Sequence, residues 1–456
     1  MSTTTMPVDA GPAPQAPSSG RSRDKGVIEL ARFLSNPLTY IDGLREDGRD
    51  VVPFKLGNLP AHLVTKPELL KAAMVNEDWP PLSRGRLMGL TRWYNEGLFL
   101  TYGPEHHRQR DELWNPLFDD AQVTDIAVER TRKLADSWVE GRPVEMYKAL
   151  RSHCWAIDWQ ALTGTDLDAA PDILEALEYG VAALAWLVLP FGPSRWNWPL
   201  PQSRKTQEAK RKLDSLITLM MAERRGRAGA PQDDGRVDFL TQLVRLADEP
   251  GSITSDEQVR ATFKMYFGAD QLHALFTWTL HLLGRSPDVE ARFHQELDSV
   301  LGGRPVTVDD IPSLPYTIKV IHESMRVFPP VWGFFRLMTT DYQLGEGGPV
   351  IPRGHLMGMS PWATHRDGRY WPDPLRFDPE RWNKDATRPR ELAYFPFSAG
   401  PYQCHGKDLA MKEAVLILAT LGQRWSYRPD GPEPQPSATW ATEPKKGARF
   451  KPVARS

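Results

Sequence analysis

The sequence predicts a mainly α fold with small β-sheets, and three features carry that prediction. Apolar residues recur at three and four spacing through long central stretches such as DAAPDILEALEYGVAALAWLVL and SRKTQEAKRKLDSLITLMMAERR, the period of amphipathic helices. One stretch, Ala261 to Leu283, is apolar nearly all round, as expected of a helix buried through the middle of a domain with helices on every side. Strand-like patterns are short and fall in two places, 51–65 and 341–365, each punctuated by turn residues.

In chain order, residues 1–25 mix Ser, Thr, Pro, Ala and Gly with almost no large apolar side chains, the composition of a disordered tail. One folded domain is expected over 26–456, because no repeat and no sharp shift in composition marks a linker. Val51 to Thr65 reads as two short strands around Gly57-Asn58, followed by a helix that starts at Pro67. GPEHHRQRDELWNPLF has helical periodicity. Ser255 and Gln258 form a capping pair at the head of the buried helix. Asp341 to His365 predicts a second small sheet. After Gly406, KDLAMKEAVLILATLG predicts a helix ended by Gly422.

The charge balance, 56 Lys+Arg against 58 Asp+Glu, argues against a nucleic-acid partner. Cys154 and Cys404 are the only cysteines and neither sits in a CxxC or CxxxH cluster, so neither a disulfide framework nor a zinc site is suggested. A reducing cytoplasm fits best. The longest greasy stretch, Val181 to Phe191, is too short to span a bilayer and is broken by a proline, and the tail has no apolar signal region. No membrane attachment is expected.

Cys404 lies in FSAGPYQCHG, Phe397 to Gly406, just ahead of a helix N-terminus. The helix dipole and free backbone N–H groups there favour a thiolate and lower a thiol's pKa. Glycines at 400 and 406 would let a flat group approach the backbone closely. Three readings are open at this point: a buried free cysteine, a cysteine-hydrolase nucleophile served by His365 or His405, and a ligand. Context decides between them. FSAGPYQCHG fits FxxGxxxCxG, HESMR supplies ExxR with Glu323 and Arg326 on one helical face, and FDPERW falls between them in the right order.

Together these motifs resemble the cytochrome P-450 family, the haem-thiolate monooxygenases. The resemblance covers essentially residues 30 to 456 and implies a single-domain fold with haem b between the long central helix and the cysteine-bearing helix. It implies that Cys404 is the axial thiolate to the haem iron, the ligand that favours O–O cleavage, with Phe397, Gly400, Tyr402 and Gly406 shaping its loop. Glu323 and Arg326 resemble the family's buried ion pair, joined by Arg381. His106 and Arg110 in PEHHRQRD, with Arg336 in WGFFRLM, resemble the groups that hold the haem propionates. Tyr402 departs from the pattern, since the family usually has Arg or His there.

The buried helix resembles the family's oxygen-activating segment, with a larger departure. Gly268 would leave room for dioxygen and Asp270 would be the proton-relaying carboxylate, but Gln271 stands where the family has threonine. An amide can donate a hydrogen bond yet passes a proton less easily than a hydroxyl. Phe263, Phe267, Gln271, Val331, Phe334 and Leu87, with Trp93 and Trp186, are the expected lining of an apolar, aromatic pocket. A medium-sized lipophilic, aromatic-type substrate follows. The expected reaction is hydroxylation in natural-product tailoring. The alternatives are bond formation or desaturation without oxygen insertion, and a non-catalytic haem sensor, which Asp270 in an apolar helix argues against. No GxGxxG fingerprint or spare domain exists for flavin or nicotinamide, so NAD(P)H-derived electrons are expected through a ferredoxin or flavodoxin with its reductase. Its docking face would carry Arg108, Lys407 and Lys412, and the chain is expected to act as a monomer.

Overall fold

The structure is a computed structural model that describes residues 23–75, 90–94, 97–98, 101, 103–111, 120–169, 171–187, 196–226, 238–252, 254–269, 271–383 and 391–455. Helix α1 (Arg23–Ser35) begins two residues before the expected tail boundary. It is followed by α2 (Pro37–Arg45), where Asn36 accepts from the Thr39 N–H and Pro37 opens the first turn, a favourable cap. Strands β1 (Val51–Leu56) and β2 (Leu59–Val64) form the expected hairpin, with Gly57 at φ +65 in the turn. Helix α3 (Pro67–Val75) follows.

The remaining helices are α4 (Leu90–Tyr94), α5 (Gly103–Gln109), α6 (Asp120–Ser137), α7 (Met146–Thr163), α8 (Pro171–Leu187), α9 (Pro201–Gly226), α10 (Phe239–Asp248), α11 (Asp256–Ala269), α12 (Leu272–Arg285), α13 (Pro287–Leu301), α14 (Pro315–Val327), α15 (Pro361–Thr364) and α16 (Lys407–Arg424). The helix that the sequence predicts as one piece is two. Its head has the expected capping box, Ser255 accepting from the Gln258 N–H and Gln258 from the Ser255 N–H. Between α11 and α12, Gln271 leaves helical geometry at φ −130 and ψ 12.

That break separates two hydrophobic cores. The base core joins α6, α7, α12, α13, α14 and α16 through Leu275, Phe276, Phe293, Ile321, Leu416 and their neighbours. The roof core joins α4, α7, α8, α9, α10 and α11 through Trp93, Trp155, Trp159, Leu213, Leu240 and Phe263. Helix α7 serves both: Met146, Leu150, Cys154, Ile157 and Ala161 face the base, while Trp155, Trp159 and Leu162 face the roof, two stripes at helical spacing. Cys154 is thereby a small buried core residue.

After the short β3 (Val144–Glu145), strand β4 (Phe334–Leu337) and strand β7 (Leu356–Met359), with β5 (Tyr342–Gln343) and β6 (Val350–Ile351) between them, correct the second-sheet expectation. Only β5 and β6 pair with each other there. Strand β7 instead joins the first sheet, parallel to β2 with Leu63 opposite Gly358 and antiparallel to β4, in the order β1-β2-β7-β4. Helix α16 also runs past the predicted stop to Arg424, because Gly422 is a packing residue: a Cβ there would lie 2.4 Å from Phe293 Cε1. The C-terminal strand β11 (Arg449–Ala454) pairs with both β3 and β8 (Trp425–Pro429), and β9 (Pro436–Ala438) and β10 (Thr442–Pro444) form a hairpin. Among the described residues no helix is long and apolar enough to cross a membrane.

Candidate active site

The cysteine loop is fixed from both ends. The Cys404 N–H donates to the Phe397 carbonyl at 2.8 Å and the Gln403 N–H to the Gly400 carbonyl at 3.0 Å, which folds residues 397–404 into a closed turn ahead of α16. Gly400 holds φ +68, and a Cβ there would come 2.1 Å from the Met74 carbonyl oxygen. Its glycine therefore serves the turn and the contact with α3, not the approach of a flat group. Gly406 is different, since a Cβ there would meet no protein atom.

Cys404 is exposed, yet its thiol is pushed up by desolvation, with the Gly406 N–H and the Arg110 charge acting in the opposite direction. The expectation of a lowered thiol is overturned because burial outweighs the amide and the guanidinium. The hydrolase option loses a base: His365 is fully buried, accepts from the Phe395 N–H through Nε2 and is held near pKa 3 by burial.

Beneath the loop, Glu323 and Arg326 are both inaccessible and joined by two hydrogen bonds, 2.9 and 2.8 Å. All five guanidinium N–H groups find acceptors, the other three being the carbonyls of His365, Pro374 and Arg376. Glu323 in turn accepts from the Asp378 N–H and from Trp382 Nε1, with Arg381 Nε at 3.4 Å. The carboxylate and guanidinium thus staple α14 to the segment 365–382. Buried charges survive only with such complete satisfaction. His365, named from sequence only as a possible hydrolase base, Trp371, whose ring lies under Arg326 at 5.1 Å, and Trp382 belong to this cage. Trp382 is visible as part of FDPERW, whereas Trp371 carries no local signal.

The residues expected to hold anionic groups do come together, around Tyr402. Its ring centroid lies 4.6 Å from the His106 ring and 5.7 Å from the Arg336 guanidinium carbon, and its hydroxyl accepts from the Gly103 N–H. Arg110 donates to the Pro401 carbonyl at 3.0 Å and Arg336 to the Ala73 carbonyl at 3.2 Å. His106 Nδ1 is 3.3 Å from the Leu98 carbonyl. Strand β4 delivers Arg336, helix α5 delivers His106, and the cysteine loop delivers Tyr402. On the outer face, Arg108 is engaged by Glu105 while Lys407 and Lys412 are half-buried. This donor set, one approachable sulfur beside an amide and a cation with Arg, Arg and His gathered nearby, fits a haem with its two carboxylates.

The distal residues fare less evenly. Asp270 and Leu87 lie outside the described residues, and for Phe267, Gly268 and Trp186 the structure describes only a helical backbone, in α11 and α8. Gln271 turns its Nε2 to the Trp440 carbonyl at 3.4 Å, and its Oε1 is buried with no partner among the described residues. The expected amide donor is therefore directed at the β9–β10 hairpin. Phe263 and Trp93 are core residues of the roof: Phe263 packs edge-on against Trp159 at 5.9 Å, and the Trp93 indole fits over Gly180. Both are closed off from open surface. Val331 and Phe334 are partly exposed beside Arg336 and fit a lining role better.

The sequence is 33% identical over 440 residues to cyclooctat-9-en-7-ol 5-monooxygenase of Streptomyces melanosporofaciens, covering 93% of each chain. It is 32% identical to cyclooctatin synthase of the same organism, over 88% of this chain and 89% of that protein. Pentalenene oxygenase of Streptomyces avermitilis is 28% identical over 86% of this chain and 87% of that one. Among solved structures, the retinoic acid-bound cyanobacterial CYP120A1 superposes with a TM-score of 0.77 at 21% identity, over 90% and 93% of the two chains, so the folds match. The family model for cytochrome P450 matches residues 27–451. The chain belongs to the cytochrome P450 family and is a cytochrome P450 monooxygenase.

Proposed function

We propose that this enzyme hydroxylates a medium-sized lipophilic terpenoid in natural-product tailoring. The observation that carries the reading is the pairing of an approachable Cys404 with a haem-type donor set, in a chain whose full-length relatives bear names of cyclooctatin and pentalenene oxidation. Haem b, held through Cys404 and braced by His106, Arg110, Arg336 and Tyr402, would supply oxygen activation when bound. The chain's own contribution is to desolvate the sulfur, to hold its loop through Phe397 and Gly400, and to lock that loop onto α14 through Glu323, Arg326 and Arg381. Arg336 and His106 offset carboxylates that would otherwise be costly to bury. Gly268 and Asp270 are assigned to oxygen and proton handling, with Val331, Phe334, Phe267, Leu87 and Trp186 around the substrate.

Electrons would come from NAD(P)H through a ferredoxin or flavodoxin and its reductase, to a monomer in the cytoplasm of the cell. A second reading is favoured by one observation. Gln271 commits its donor to Trp440, so the usual hydroxyl at this point is replaced by a buried acceptor, which suits hydrogen abstraction followed by bond closure as well as oxygen insertion. The test is the product formed from a panel of cyclic terpene hydrocarbons and their alcohols by the holoenzyme with a ferredoxin and reductase. A product heavier by one oxygen supports hydroxylation, a product lighter by two hydrogens moves the assignment to coupling or desaturation, and no turnover of any member removes the terpenoid class.

A further inference from the structure

Beside the Glu323–Arg326 cage lies a cluster of rings that neither the haem-type donor set nor the cysteine turn uses. Its centre is Tyr394, three residues before Phe397, whose carbonyl accepts the Cys404 N–H. The Tyr394 hydroxyl is 3.0 Å from His322 Nδ1 and 3.2 Å from the His322 carbonyl oxygen. Its ring centroid lies 4.6 Å from that of Trp382, and the His322 ring stacks on Trp382 at 5.0 Å and 28°. Tyr394, His322 and Trp382 are each half-buried, so the cluster runs from the root of the cysteine loop toward the surface.

A phenol gives up an electron readily when its proton can leave at the same time, because the oxidised phenol is a strong acid. Of the two acceptors within reach of Tyr394, the imidazole nitrogen can take that proton and the carbonyl cannot. Burial holds His322 near pKa 4, so the ring is neutral at pH 7, and in the Nε2–H tautomer its Nδ1 accepts from the hydroxyl. Burial and then the Glu323 charge keep the Tyr394 phenol well above its ordinary range, so it stays protonated until an oxidant acts. The Trp382 indole donates to Glu323 Oε2 at 3.0 Å, a negative partner that favours loss of an electron from the ring. Trp371 is the opposite case: the Arg326 guanidinium stands 5.1 Å over its ring, and positive charge on a ring face opposes that loss. Charge therefore selects Trp382 as the neighbour that exchanges electrons with Tyr394.

An enzyme that reduces dioxygen makes peroxide whenever two electrons and two protons reach the oxygen and no substrate consumes them. A thiolate exposed to peroxide is oxidised irreversibly beyond the sulfenic acid. We propose that Tyr394 is a redox-active residue that gives an electron to a peroxide-class oxidant while its proton passes to His322 Nδ1, and that Trp382 refills it, drawing oxidation away from Cys404. Each step leaves a neutral phenoxyl radical and an imidazolium. Two such electrons, with two protons, balance the conversion of one peroxide to two waters. Electron transfer from Trp382 then restores the phenolate, which recovers its proton from His322.

The experiment adds hydrogen peroxide to the haem-loaded enzyme without substrate, freezes it rapidly and records high-field EPR, with mass spectrometry of Cys404 on parallel samples. The wild-type protein is expected to show a tyrosyl radical whose gx component is lowered by a proton held on an imidazole. Tyr394→Phe should cut that signal about fivefold or more and raise sulfinic and sulfonic acid at Cys404 about threefold or more, with the reduced carbon-monoxide band unchanged. His322→Phe, which can keep the ring stack on Trp382, should lower the yield and raise the gx of what remains. Trp382→Phe should prolong the radical. Tyr427→Phe is the control: this buried tyrosine donates to the Leu421 carbonyl at 3.4 Å, and its loss should change nothing in the signal. The proposal is overturned by a wild-type protein without a tyrosyl radical, by a signal that persists in Tyr394→Phe, by unchanged yield and gx in His322→Phe, or by Cys404 oxidation that is the same with and without Tyr394.

Discussion

The base and the roof of this molecule hold their charges in opposite ways. In the base, Arg326 spends all five N–H groups on acceptors, and Glu323 accepts from two further residues and has Arg381 as an ion-pair neighbour. In the roof, Lys264 rests on one carboxylate and one carbonyl. The first arrangement ties a helix to the loops beside it through many partners; the second joins three helices through few.

The largest effect should come from the base. Arg326→Ala leaves Glu323 charged and inaccessible with its strongest partners gone, a loss of about 3–5 kcal/mol for a broken buried pair. Urea unfolding should show that loss, and the purified protein should carry little haem. The matching double change in the roof, Lys264→Met with Asp214→Leu, removes both charges and should leave stability within about 1 kcal/mol of wild type, because well-packed apolar groups often replace a buried pair without cost. Equal losses in the two regions would break the comparison.

Acid should act on the base before the roof. Burial holds His153 and His365 near pKa 3 and His322 near 4, so all three stay neutral in the folded protein as they do not in the unfolded chain, near 6.5. Between pH 6.5 and about 4 the unfolded state therefore binds more protons, and stability falls as pH drops through that window while these groups contribute no slope above it. The stretch from α8 to α11 contains no histidine. Hydrogen-exchange protection, taken relative to the intrinsic rate at each pH, should fall from pH 7 to pH 5 more in α14 and α7 than in α9 and α10.

A smaller effect is expected at Gly400→Ala. A left-handed conformation costs an alanine about 1–2 kcal/mol, and the added carbon collides with the Met74 carbonyl. The thermal midpoint should fall, and the carbon-monoxide spectrum of the reduced protein should broaden as the loop shifts. Gly406→Ala, at ordinary φ and with open space around it, should leave the midpoint unchanged.

The base was the legible half of the sequence. FSAGPYQCHG, HESMR and FDPERW are local strings whose residues meet because each is spaced along one turn or one helix, and the structure joins Glu323, Arg326 and Arg381 as that spacing implies. The cage around them was less legible, since His365 and Trp371 reach Arg326 through backbone carbonyls and ring faces that any residue type could supply. In the roof, a lysine inside TFKMYF is visible in the sequence, but its partner Asp214 lies fifty residues away on another helix, and no periodicity points from one to the other. The helix break at Gln271 was hidden for a similar reason: the string GADQL has no proline, and the two halves part because each belongs to a different core. Strand β7 escaped as well, because its parallel pairing with β2 is a long-range contact that short strands cannot advertise.

The central claim is that Cys404 is the sulfur that ligates the haem, and the absorption spectrum of the reduced, carbon-monoxide-bound protein tests it most directly, since thiolate and imidazole ligands give clearly different Soret positions. The wild-type protein is expected to show the thiolate band and Cys404→His to lose it while still binding haem. A Cys404→His protein that keeps the thiolate band, or a wild-type protein that never shows it, would contradict the account.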